Sequence, residues 1–62
     1  MYLKEIRQSK GLSVAALSQL SGVSLRTIQD LEKRGDGRIS TLRKLTNAMG
    51  ISLDDLFVEP HS

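Results

Sequence analysis

LSVAALSQLSGVSLRTIQDLEKR, residues 12–34, carries the punctuation that decides the fold. Ser13 and Ser24 each follow an apolar residue, Leu12 and Val23, and precede a second one, Leu17 and Ile28, four positions into the helix that would come next. A serine so placed is an N-cap. Its hydroxyl oxygen takes an otherwise unmet amide of the first turn, and the flanking apolar pair closes over it as a hydrophobic staple. The two starts lie eleven positions apart, with Gly22 between them able to take the left-handed conformation that ends one helix and releases the next at a steep angle. Further along, Ser52 repeats the pattern with Ile51 and Leu56 and fixes a third start.

Two capped helices at this spacing across a glycine turn make a helix-turn-helix. Working outward, helix 1 is expected over residues 2–10, with Leu3 and Ile6 inward, and ends at Gly11. Helix 2 follows Ser13 and sets Leu17 and Leu20 with Ala16 on one apolar stripe, and helix 3 runs from Ser24 to residue 33 or 34. Gly35, Asp36, Gly37 and Arg38 form a loop by composition. Helix 4 begins near Ile39 or Ser40, repeats Leu42, Leu45, Ala48 and Met49 at helical spacing, and stops at Gly50. Helix 5 covers residues 52–58, where Asp55 closes a capping box on Ser52 and Pro60 forbids much continuation. No useful length of chain alternates with period two. The expectation is an all-α domain of five helices over residues 1–62, with 59–62 a flexible tail.

Composition limits what such a domain can be. A chain of 62 residues buries only about 60% of its unfolded surface, and with aromatics at 3% its core must be aliphatic. No cysteine is present to form a disulfide or a thiolate metal site. Residues 1–10 carry charges every few positions, which excludes a signal peptide or a membrane span there and points to a soluble cytoplasmic protein. The net charge of +2 is unevenly laid down: residues 1–53 hold all nine Lys and Arg against four acids, and 54–62 hold Asp54, Asp55 and Glu59. A basic body with an acidic end suits a polyanionic partner on one side.

Helix 3 is the element that can meet that partner. Advancing about 100° per residue from Ile28 puts Leu31, Ser24, Glu32 and Leu25 toward the core. Gln29, Lys33, Arg26 and Asp30 fall on the opposite side, a wholly hydrogen-bonding and ionic face. In a DNA major groove, Arg26 can fork onto guanine, Gln29 can pair with adenine and Asp30 can accept from cytosine. Thr27, Lys33, Arg34 and Arg38 surround this face with groups suited to phosphate. The plainer reading is a solvated surface held by Arg26–Asp30 and Asp30–Arg34 pairs at i, i+4, worth a few tenths of a kcal/mol each.

Three strings fall in register with a known pattern: IRQSKGLS (6–13), SGVSLRTIQDLE (21–32) and STLRKLTNAMGISLDDLF (40–57). They resemble the Cro and phage-repressor type of helix-turn-helix domain, also called the xenobiotic response element family, over nearly the whole chain. The resemblance implies a lambda-repressor-like fold whose third helix enters the major groove. It also implies phosphate contacts at the starts of helices 2 and 3, hence at Ser13 and Ser24, and action as a homodimer. By the same resemblance Leu25, Arg26, Thr27, Gln29 and Asp30 hold recognition positions, while Arg7 and Glu32 form a structural pair tying helix 1 to helix 3. The chain departs from the family in helix 2, which commonly opens S-Q-x-E-L-A. Here Val14 and Ala16 replace the phosphate-touching glutamine and the capping glutamate. Leu25 is apolar where relatives often read with a polar residue, so it either packs inward, as its place on the wheel suggests, or meets a thymine methyl.

Other signals carry less. His61 has no cysteine or second histidine to complete a metal or acid–base site, and Arg34, Gly35 and Asp36 spell an adhesion tripeptide only as a loop coincidence. Asp54 and Asp55 complement a helix dipole. With Tyr2 and Phe57 the sole aromatics, no stacking platform for single strands exists. No catalytic constellation, cofactor or metal is expected. The reading is sequence-specific binding of double-stranded DNA by a transcriptional repressor or regulator. Dimerisation is expected through Leu53, Phe57 and Val58, which so small a core cannot all cover. The alternative is a protein-interaction module of the same fold, an antirepressor or adaptor with a regulatory protein as partner.

Overall fold

A helical segment begins after each of the three serines. The computed structural model describes residues 1–60, in which the chain forms α1 (Leu3–Ser9), α2 (Val14–Ser21), α3 (Leu25–Arg34), α4 (Ile39–Met49) and a 3₁₀ segment (Leu53–Phe57). His61 and the end of the expected tail lie outside the described residues. Ser13 Oγ accepts the Ala16 amide at 3.0 Å and Ser24 Oγ accepts the Thr27 amide at 3.2 Å, the geometry the cap positions demand. At Ser52 the amide donates to Asp55 Oδ2 at 3.0 Å, the return arm of a capping box.

The fifth element corrects the sequence expectation. It is a five-residue 3₁₀ segment rather than an α-helix, with Asp55 N–H closing a short bond onto Ser52 C=O at 3.1 Å. By Val58 the backbone is already extended, so the segment has too few residues to settle into the wider α turn before Pro60. The first helix is also shorter than expected. Tyr2 offers no capping oxygen, and its own amide leaves the helix to donate to Leu56 C=O at 2.7 Å, stitching the start of the chain to the 3₁₀ segment.

The core is aliphatic, as the scarcity of rings requires. Leu3, Ile6, Leu17, Val23, Ile28, Leu31, Leu42, Leu45, Met49 and Leu56 are buried, with Met1, Tyr2, Leu12, Val14, Ala48, Ile51 and Leu53 packed against them. Each staple closes on a fully buried partner: Leu17, Ile28 and Leu56. Helix α2 packs on α3 and α4, α1 packs on α3, and α4 carries the 3₁₀ segment. The expected stripe on α2 is narrower than its sequence suggests. Leu17 is buried but Leu20 is 61% exposed, because two neighbours cover one line of side chains and Leu20 sits about 60° off it.

The turn between α2 and α3 is braced by side chains. Gly22 adopts φ +74°, and around it Ser18 Oγ donates to Val23 C=O at 2.6 Å and Ser21 Oγ donates to Leu17 C=O at 2.7 Å. The Val23 amide donates to Ser21 Oγ at 3.2 Å. With Val23 buried beneath it, this turn fixes the angle at which α3 departs.

Candidate nucleic-acid interface

Ile28 and Leu31 anchor α3 from behind, and Arg26, Gln29, Asp30, Lys33 and Arg34 are exposed along its outer side. Among the described residues, no ion pair joins Arg26 to Asp30 or Asp30 to Arg34, so the plainer pairing suggested by their spacing is not formed. These groups stand free to meet a partner. On α3 itself Asp30 is the one exposed acid beside Arg26, Lys33 and Arg34, since Glu32 is turned inward, and Asp36 is exposed in the loop between Arg34 and Arg38.

That inward turn is the work of Arg7. Its Nε donates to Glu32 Oε2 at 2.7 Å and its Nη2 to Glu32 Oε1 at 3.2 Å, a forked pair whose side chains are only 9% and 11% exposed. The third arm, Nη1, donates to Leu12 C=O at 2.7 Å. One guanidinium therefore joins α1, the residue leading into the Ser13 cap, and α3.

Ser13 and Ser24 are exposed at the starts of α2 and α3, and Thr27 is half-buried one turn into α3. The Ser24 and Thr27 hydroxyls also bond each other at 2.7 Å. Arg38 is exposed at the N-cap position of α4, without a side-chain bond to that helix, so its guanidinium is uncommitted. Leu25 departs from the inward placement its wheel position suggests: it is 41% exposed. The reason is position along the axis rather than around it. As the first residue of α3, its side chain leans toward the helix start, past the body that covers Ile28.

Two contributors were not read from the sequence. Gly37 lies so near Leu31 that a β-carbon there would overlap Leu31 Cδ2, so the loop backbone before Arg38 rests directly on α3. The other is the Ser18 and Ser21 clamp on the turn. Two glycines flanking Asp36 were a signal for the first, because one glycine suffices to end α3. Of the apolar trio near the end of the chain, Leu53 is half-buried against the core, whereas Phe57 and Val58 are each 57% exposed. Val58 also lines a hollow of about 270 Å³ with Ile6, Ile51 and Pro60.

Comparison with known proteins follows the same outline. A helix-turn-helix family model matches residues 3–56. The chain is 42% identical over 59 residues to the HTH-type transcriptional regulator PuuR of Escherichia coli (strain K12), and equally to the protein of that name from Shigella flexneri. Each match covers 94% of this chain and 32% of the relative, so the chain spans about a third of the length of the curated relatives it matches. No solved structure matches significantly.

Proposed function

This chain belongs to the helix-turn-helix family of Cro and phage-repressor type, and we propose that it is a DNA-binding domain, residues 1–62, of a transcriptional regulator acting in the cytoplasm as a repressor. The observation that carries the reading is the unpaired outer face of α3, backed by Ile28 and Leu31 and fixed in angle by the Gly22 turn. Arg26, Gln29, Asp30 and Leu25 face base edges in the major groove. Lys33, Arg34 and Arg38, with the hydroxyls of Ser13, Ser24 and Thr27, hold the flanking phosphates. The relatives' description as transcriptional regulators supports this assignment.

One α3 contacts only a few base pairs, so selective binding uses two copies on half-sites about 34 Å apart. Phe57 and Val58, both exposed, supply apolar surface for that pairing, and Val58 adjoins a hollow lined by apolar Ile6, Ile51 and Pro60 and by polar Ser9, Lys10, Asp55 and Glu59. Selection from randomised duplexes, followed by affinity against salt, tests the reading. A two-fold symmetric site is expected, with affinity falling roughly 10³-fold between 50 and 200 mM salt for about six charged phosphate contacts per dimer. Arg26→Ala should relax preference at one position of each half-site. A second reading, a protein-binding module, is favoured by the exposure of Leu20. It is the outcome if no duplex is enriched and a partner binds with little dependence on salt.

A further inference from the structure

Leu25 is the one apolar side chain at the start of α3 that the core leaves uncovered. Resting on the DNA-binding reading above, we propose that Leu25 is a specificity residue for the 5-methyl group of a pyrimidine in the major groove, carried by thymine or by 5-methylcytosine.

Three observations lead there. Leu25 is 41% exposed although its angular position lies on the buried side, so its free surface is at the helix start, the end a recognition helix presents to base edges. Its hydroxyl neighbours are held at the backbone: Ser24 Oγ accepts the Thr27 amide and the two hydroxyls bond each other, which leaves the pair one proton to give a phosphate. With that pair turned to the helix start and a phosphate, Leu25 is the side chain this flank offers to a base, whereas Arg26, Gln29 and Asp30 supply hydrogen-bonding groups beside it. Among groove edges, the 5-methyl is the apolar feature a leucine can cover, since the other positions present donors and acceptors that a leucine leaves unmet. Thymine is then distinguished from unmodified cytosine by the methyl and from purines by shape. Methylating a cytosine at the same position restores the contact.

The test uses the full chain and the duplex obtained by selection. Each thymine is replaced in turn by deoxyuridine, which removes the methyl and nothing else, and affinities are measured for the wild type and for Leu25→Ala. One thymine per half-site should weaken wild-type binding roughly fourfold on losing its methyl, the change that burying one CH₂-sized group produces. Leu25→Ala should bind the thymine and deoxyuridine duplexes equally, with its helical circular dichroism unchanged. Cytosine at that position should bind weakly and 5-methylcytosine should recover the wild type but not the variant, which separates the two sources of methyl. If every deoxyuridine duplex binds the wild type as well as the parent, the methyl contact is overturned while DNA binding stands. Equal losses in wild type and variant overturn it also. Failure of selection to enrich any duplex overturns the underlying reading, and this proposal with it.

Discussion

A substitution at Arg7 reaches three parts of the chain at once, because its guanidinium serves Glu32 twice and Leu12 C=O once. Arg7→Ala strands a carboxylate that is 11% exposed and a carbonyl oxygen, and losing one partner of a buried pair costs about 3 to 5 kcal/mol. A domain of 62 residues has a total stability of about 3 to 9 kcal/mol. Urea denaturation should therefore show Arg7→Ala largely unfolded or close to it, with Glu32→Gln less affected because the amide still accepts one bond. At Gly37 the fault is steric. Gly37→Ala forces its β-carbon onto buried Leu31, and a loss of about 1 to 3 kcal/mol is expected in the same assay, the range for overpacking. At this scale the sequence was only partly legible. The Arg7–Glu32 pair spans 25 positions and no local rule links them, so it was visible only through family resemblance. Leu20 and Leu25 were misplaced by a helical wheel, which knows the angle around an axis but not how far the neighbouring helices extend along it.

Elements were read more successfully where their signals are local. A cap and its staple lie within six residues, so the starts after Ser13 and Ser24 depend on chemistry that the sequence displays side by side. The 3₁₀ segment depends on something else, a balance between few residues and an early stop, and a wheel pattern does not distinguish it from a short α-helix. The α2–α3 turn yields a prediction of its own. Open space surrounds the position where a β-carbon would stand on Gly22, so Gly22→Ala meets no obstacle and its whole effect comes from the +74° φ. A loss of about 1 to 2 kcal/mol is expected on thermal denaturation, with Gly22→Asn milder because asparagine tolerates this conformation. A Gly22→Ala protein melting like the wild type would show that the Ser18 and Ser21 bonds hold the turn regardless of backbone preference.

For the whole molecule, the useful division is between surface the core recruits and surface it leaves out. Leu53 was drawn in and Phe57 and Val58 were not, an outcome set by packing that composition alone does not resolve. Phe57→Glu should consequently leave helical content and melting temperature near wild type, while sedimentation over a micromolar concentration series shows monomer where the wild type pairs. A variant that still pairs would move the contact elsewhere. The stitch from the Tyr2 amide to Leu56 has a different consequence. It brings the opening and closing segments of the fold side by side, so a short glycine tether between residues 1 and 60 should span them without strain. New ends can then be cut between Lys10 and Leu12, outside any helix. Such a circular permutant should retain native helical content by circular dichroism, and the order in which the helices are threaded would become a free variable for engineering.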